Sequence, residues 1–243
     1  MSAPERTPAL DAVFQPVHPP TTFEETVERL GTAIRLGLLQ PGSRLPAERD
    51  LAERLCISRS TLRQALTTLV QSGHLVSVRG RAGGTFVAER PPMGQDLAAE
   101  VLGEGGRAVL DYRVAVETGA AVLAAERARD PELDRLDRLT EQMKAAVDFA
   151  DYRRADVRFH IGIAEASRSA RLVAAMTEVQ GQMSDLIARI AHPPEVLRTS
   201  NEQHRRLIVA LRRGDSARAV RTVRQHIEGT EHILAGLLPR RPR

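Results

Sequence analysis

From Asp96 to the end of the chain, aliphatic residues recur at spacings of three and four, and each interruption of that rhythm is a helix breaker or a cap. Leu207, Ile208 and Leu211 form one such set, and Val220, Val223 and Ile227 another. The interruptions are Gly105-Gly106, Asp130-Pro131, Asp151, Ser167 to Ser169, Pro193-Pro194 and Gly214-Asp215. No alternating strand pattern appears in this stretch. The spacing predicts about seven helices, the first short (Asp96 to Leu102), packed as an antiparallel bundle. Aromatic residues make up only 3% of the chain and Trp is absent, so aliphatic side chains must fill the core. No apolar run approaches the ~18 residues of a membrane span, which excludes a transmembrane protein. Cys56 is the single cysteine, so neither an internal disulfide nor a cysteine-rich zinc module can form.

Before Asp96 the pattern changes. Met1 to Thr22 is rich in Pro, Ala and Thr, has no period, and lacks the basic start and apolar stretch of a secretory signal. It reads as a mobile arm on a cytoplasmic protein. Residues 90–95, around Pro91-Pro92-Met93-Gly94, form a linker, and 239–243 a basic tail. Between arm and linker, residues 23–89 hold three helices and a hairpin. Phe23, Val27, Leu30, Ile34 and Leu38 line one face of the first helix, which Gln40-Pro41-Gly42 ends. Pro46 opens a second helix, Ala47 to Leu55, with Glu48 where the helix dipole favours an anion. Ser58 caps a third, running to Gln71 with Leu62, Ala65, Leu66 and Leu69 inward. Leu75 to Val78 and Thr85 to Val87 then flank a glycine-rich tip. Three helices with a tight turn before the third, followed by two strands, make a winged helix-turn-helix. The fold class is mostly α: this reading head, then a helical domain over 96–238.

The third helix offers what DNA reading needs. Ser58, Arg59, Ser60, Thr61 and Arg63 crowd its N-terminal half, where amides and hydroxyls hold phosphates and arginines reach guanine edges. All basic residues but Lys144 are arginine, and the net charge is +4. A GC-rich genome would give the same bias, so composition alone decides nothing. Taken singly, Arg49 and Arg63 could equally pair with Glu48, Asp50 or Glu53 on solvated faces.

The run Pro41-Gly42-Ser43-Arg44-Leu45-Pro46-Ala47-Glu48-Arg49-Asp50-Leu51-Ala52, followed in register by Ser58-Arg59-Ser60-Thr61-Leu62-Arg63-Gln64-Ala65-Leu66, resembles the signature of GntR-type bacterial transcription regulators. The resemblance implies DNA contacts from Arg49, Ser58, Arg59, Ser60, Thr61, Arg63, Arg79 and Gly80, with Arg59 and Arg49 as guanine readers. Two positions depart from the pattern. Gln64 stands where Glu is usual, and Cys56 where the turn commonly has Gly. A non-glycine residue at positive φ costs about 1–2 kcal/mol, so a slightly different turn is expected there.

In the second part, Asp156 and His160 are four apart on one helix, and His204 and His226 lie on two later ones. One carboxylate and three imidazoles suit a divalent metal such as Zn, Ni or Mn, although seven histidines will produce some apparent cluster by chance. Residues 96–243 resemble the all-helical FCD effector domain of the FadR subfamily, whose metal-binding members carry Asp-x-x-x-His and then one His on each of two later helices. That resemblance implies a ligand set of Asp156, His160, His204 and His226. It also implies that Arg113 holds an effector carboxylate beside the metal; by spacing alone, Arg113 is an i, i+4 partner of Glu117. Ser169 stands where Asn is common, and Ser can cap. His18, His74, His192 and His232 fit no ligand position.

Together these readings predict a ligand-responsive regulator, expected to be a repressor. It would bind double-stranded DNA at a short palindrome as a homodimer and answer to a small organic acid. Two other readings compete: a constitutive DNA binder with a structural metal, and a metal-dependent hydrolase or isomerase fused to a DNA-binding domain. The second lacks a general base, since Glu165 is off the His160 face.

Overall fold

The computed structural model describes residues 21–35, 38–80, 83–92, 103–188 and 190–237. The expected arm up to residue 20, the wing-tip pair Arg81-Ala82, linker residues 93–95, the short helix 96–102 and the basic tail all lie outside the described residues. Nine helices and one two-stranded antiparallel sheet are seen among the described residues. The chain forms two compact units.

The first unit holds α1 (Thr22–Arg35), α2 (Glu48–Leu55), α3 (Arg59–Gln71), β1 (Leu75–Val78) and β2 (Gly84–Val87). Phe23, Val27, Leu30 and Ile34 are buried along α1, which packs on α3. The helix stops at Arg35, before the expected Leu38. The amides of Leu38 and Leu39 both turn back to the Ala33 carbonyl, and Leu39 takes the buried place expected of Leu38. The hairpin pairs Leu75 with Val87 and Val78 with Gly84. The chain before α2 lies along the outer edge of β2: Leu45 N–H donates to Thr85 O and Val87 N–H to Ser43 O, at 2.9 Å each. Arg44 continues this clamp, donating to Gly83 O at 2.6 Å with its guanidinium over the Phe86 ring.

Cys56, at the turn between α2 and α3, has φ 52° and ψ 39°. The expected alternative turn is not used; the left-handed conformation is kept without glycine. Its N–H closes α2 on Ala52 O and Glu53 O, and the Ile57 amide also reaches Ala52 O.

The second unit is helical: α4 (Glu104–Arg127), α5 (Asp130–Ala145), α6 (Phe149–Ala166), α7 (Ala170–Ile187), α8 (Pro194–Arg212) and α9 (Ser216–Leu237). Two expected breaks move. Gly105-Gly106 lies inside the first turn of α4 rather than before it. Asp151 does not interrupt a helix; it lies in the first turn of α6, and its amide donates to the true N-cap, Asp148. The other breaks stand, and Ser169 does cap α7, accepting from the Leu172 amide. Ala120, Ala121, Ala124, Leu136, Phe159, Ile163, Met176, Val179 and Ile208 are buried here.

The last helix belongs to both units. Residues 216–228 of α9 lie in the second, and its final turns, from Gly229, in the first. There they run along α1, Gly229 facing Glu24, His232 bonding Glu28, and Gly236 lying against Glu28 and Gly31. A Cβ on Gly31 would sit 1.9 Å from the Gly236 carbonyl oxygen. Glycine on both helices lets two backbones touch at this crossing.

Candidate DNA interface and metal centre

Ser58 is pinned by its cap: its Oγ accepts from the Thr61 amide at 3.0 Å and lies 2.7 and 2.8 Å from the hydroxyls of Ser60 and Thr61. The three hydroxyls form one cluster at the N-terminus of α3, with Arg59 exposed beside them. Arg49 is exposed on α2, 3.4 Å from Asp50 and 4.0 Å from Glu53. Arg63 donates to Glu48 at 2.9 Å, so this arginine has a surface partner that DNA would have to replace. Arg79 and Gly80 are exposed at the wing, and Gly80 has φ 107°, a conformation that glycine supplies without strain. The structure therefore brings Ser58, Arg59, Ser60 and Thr61 together and keeps all eight predicted residues on the surface or near it.

In the helical unit, His160 on α6, His204 on α8 and His226 on α9 are buried, and one ring nitrogen from each lies within 4.8 Å of the others. Asp156, one turn before His160, places Oδ1 3.8 Å from His160 Nε2 and 3.6 Å from His204 Nε2. His226 Nδ1 is 2.9 Å from Gln203 Oε1. Phe159 walls one side, its ring 4.5 Å from that of His204.

Arg113 on α4 is buried and donates through Nε to Glu117 at 2.8 Å, yet its Nη1 has no partner. Both ring nitrogens of His204 and Nε2 of His160 also lack a hydrogen bond. A buried polar group without a partner costs about 1–3 kcal/mol, so this cluster is built for something that supplies bonds.

Burial drives the His204 imidazole pKa down to about 3, and burial followed by its neighbour His204 holds His226 well below the ordinary range. Burial pushes the Glu117 and Asp156 carboxyls upward. Arg113 and His160 more than offset this at Glu117, as do Arg153 and His160 at Asp156, and both end below the usual carboxylate value. These shifts favour neutral imidazoles at His204 and His226 beside ionised carboxylates, the protonation states that a divalent cation requires of such ligands. The donor set fits such a metal.

The model of bacterial regulatory proteins of the gntR family matches residues 22–87, and the FCD domain model matches residues 108–229, half of the chain. This chain belongs to the GntR family and carries an FCD domain. It is 33% identical over 224 residues to the Escherichia coli strain K12 protein named "Putative L-lactate dehydrogenase operon regulatory protein", covering 87% of this chain and 85% of that one. It is 31% identical to the Mycobacterium gastri protein named "Putative HTH-type transcriptional regulator RmpR", covering 91% and 83%. Among solved structures, E. coli McbR/YncC aligns with TM-score 0.51 and 25% identity over 87% of this chain and 96% of that one. With a gntR-family reading head and an FCD domain, and with relatives named as regulatory proteins, this chain is a DNA-binding transcription regulator rather than an enzyme. Glu165, weighed above as a catalytic base, pairs with Arg135 on an exposed surface. Among the described residues no helix is long and apolar enough to cross a membrane.

Around the candidate metal centre, Arg153 and Gln180 escape the sequence reading, and Glu117 enters it only as a partner of Arg113. Glu117 is more than an i, i+4 partner, because Gln180 also donates to it and His160 approaches it. Arg153 holds Asp156, and Gln180 touches Arg153. One signal was available for Gln180: it is a lone amide in the buried stripe Met176, Val179, Met183 and Leu186 of α7.

Proposed function

We propose that this GntR-family chain is a FadR-subfamily repressor that binds a short palindromic operator as a homodimer and answers to a small carboxylate bound at a metal centre. One observation carries the effector reading: four buried side chains of ligand chemistry, Asp156, His160, His204 and His226, stand with Arg113, whose buried Nη1 has no partner. Asp156, His160, His204 and His226 would hold the metal, and bound there a divalent cation acts as a Lewis acid for an anionic oxygen. Zn, Ni and Mn all suit this donor set. Glu117 steadies Arg113 through Nε, leaving the outer guanidinium edge for a carboxylate, a pairing that favours bidentate contact. Glu117 and Asp156 balance Arg113 and Arg153, so a divalent cation would leave the pocket with net positive charge suited to an organic acid. The lactate-operon regulator's likeness supports a small hydroxy acid as the first ligand to test.

Arg59 and Arg49 would read guanine edges and Arg63, released from Glu48, a phosphate or base edge. Ser58, Ser60 and Thr61 would fix register, and Arg79 and Gly80 would meet the duplex from the wing. One recognition helix reads a half-site, which calls for a two-fold dimer. The response is a difference in DNA affinity between liganded and unliganded states. Helix α9 supports such a link, since it carries His226 and continues into the turns seated on α1.

The test begins with selection of genomic fragments by purified protein beside Arg59→Ala, followed by operator titration with lactate and other small acids in the presence and absence of metal. Enrichment of one palindrome by wild type alone, and a metal-dependent change of affinity with one acid, are expected. Equal enrichment by both proteins would defeat the DNA assignment. Operator affinity unchanged by every acid that binds would leave a constitutive binder with a structural metal.

A further inference from the structure

Five buried or half-buried side chains run as one hydrogen-bonded chain beside the metal ligands. Arg113 Nε donates to Glu117 Oε1 at 2.8 Å, and Gln180 Nε2 donates to the same oxygen at 3.1 Å. Gln180 Oε1 accepts from Arg153 Nη2 at 3.1 Å, and Arg153 Nη1 bonds Asp156 Oδ2. Arg153 is itself fixed to α7 by Ser184 Oγ, at 3.2 Å from Nε and 3.0 Å from Nη2, and by the Gln180 carbonyl at 2.9 Å. The amide of Gln180 fits only one way round: its NH2 faces a carboxylate and its oxygen faces a guanidinium.

Each carboxylate divides its two oxygens. Asp156 gives Oδ2 to Arg153 and turns Oδ1 toward His160 and His204. Glu117 gives Oε1 to Arg113 and Gln180, and places Oε2 3.1 Å from His160 Nδ1. An anionic oxygen at that distance favours the imidazole tautomer with its proton on Nδ1, which leaves the Nε2 lone pair directed to the Asp156 side. A simple i, i+4 ion pair between Arg113 and Glu117 would need neither Gln180 nor His160.

We propose that Glu117, Gln180 and Arg153 are positioning residues for the metal ligands: Glu117 sets the His160 tautomer, Arg153 aims Asp156, and Gln180 locks the two together across α4, α6 and α7. This rests on the metal reading above.

The test uses full-length protein stripped of metal. Co2+ is titrated in competition with a chelator and followed by its visible absorption, for wild type, Glu117→Gln and Gln180→Met. Loss of such outer partners typically weakens a metal about 10–100-fold, and both variants are expected to fall in that range with an altered Co2+ spectrum. Far-UV circular dichroism and thermal unfolding of the metal-free proteins separate this from misfolding, and Gln180→Glu, which keeps an acceptor for Arg153 but repels Glu117, stands in if Gln180→Met does not fold. In 15N NMR of the metal-free chain, His160 should carry its proton on Nδ1 in wild type and shift toward Nε2 in Glu117→Gln. Affinities of all variants within about twofold of wild type, where 10–100-fold is expected, would overturn the positioning role while leaving the metal reading intact. An unchanged His160 tautomer in Glu117→Gln would overturn the role given to Glu117. Absence of Co2+ binding by wild type would overturn both the positioning role and the metal reading.

Discussion

Replacing Gly31 by Ala tests the crossing between α1 and the last turns of α9. The new Cβ would sit 1.9 Å from Gly236 O, against an ordinary contact of 3.4 Å or more. Its two other nearest atoms, Gly236 C at 2.7 Å and Cα at 3.0 Å, are also backbone, so no flexible side chain can step aside. The helices must part, loosening the contacts of Gly236 with Glu28 and of His232 with Glu28. Overpacking of this kind costs about 1–3 kcal/mol, and a rigid backbone obstacle places Gly31 at the upper end. Alanine returns about 1 kcal/mol of helix propensity, for a net loss of about 2 kcal/mol. At about 2–4 °C per kcal/mol for a chain of this size, Tm should fall by about 4–8 °C. The control is Gly119→Ala in α4, where a Cβ meets nothing within 4 Å; propensity alone should raise stability there by about 0.5–1 kcal/mol. Thermal unfolding of the three full-length proteins by circular dichroism reads both signs. If Gly31→Ala unfolds at or above wild type, the backbone contact is not what holds this crossing.

Cys56→Gly should stabilise by about 0.5–1 kcal/mol, the relief of a non-glycine residue at φ 52° less the entropy of glycine; denaturant unfolding measures it, and a loss would mean that Cys56 makes compensating contacts. Phe159→Ala should cost about 3–5 kcal/mol, because the side chain is fully buried against His204 and His160; a loss below 1 kcal/mol in the same assay would contradict that packing. Arg63→Ala should change stability by less than about 0.5 kcal/mol, since its bond to Glu48 is exposed, yet weaken operator binding in a fluorescence titration; unchanged DNA affinity would remove Arg63 from the interface. Metal-free protein should lose stability as pH falls below about 6.5, because His204 and His226 have folded pKa values below their unfolded ones, that of His204 at about 3. Their contribution is complete above the unfolded pKa and erodes by up to about 1.4 kcal/mol per pH unit for each group on the way down. The lowered carboxyls of Asp156 and Glu117 add their own loss only below about pH 4. A Tm that stays flat between pH 7 and 4.5 would refute this.

The reading head was legible because its signals are local. Ser58 caps the helix that it precedes, Gly80 supplies a positive φ, and the apolar spacings of α1 and α3 fix which faces turn inward. The misses there have local causes too. Leu38 and Leu39 are adjacent apolar residues, and the spacing cannot say which one the chain turns inward once Arg35 ends the helix. At Cys56 the cost of about 1–2 kcal/mol for a non-glycine residue at positive φ is met by the left-handed turn itself rather than avoided by a different turn. Gly105-Gly106 does not stop a helix, because it falls in the first turn of α4, where glycine costs little.

At the candidate metal centre, the i, i+4 spacing of Asp156 and His160 on α6 is a property of one helix, and the sequence shows it; that His204 and His226 converge on them came from the resemblance. What surrounds them is a property of pairs of helices. Glu117, Gln180 and Arg153 meet because α4, α6 and α7 pack against one another, and no periodicity in any one of them names the partner across the gap. The glycines of the α1–α9 crossing show the same limit more sharply. Read singly, Gly31 and Gly236 look like defects, each costing about 1 kcal/mol against alanine in a helix. Their reason appears only when both are seen together, 204 residues after α1 has reached Glu28 and its partner His232 arrives beside it. A glycine inside a helix is therefore best read as a question about which other backbone lies against it.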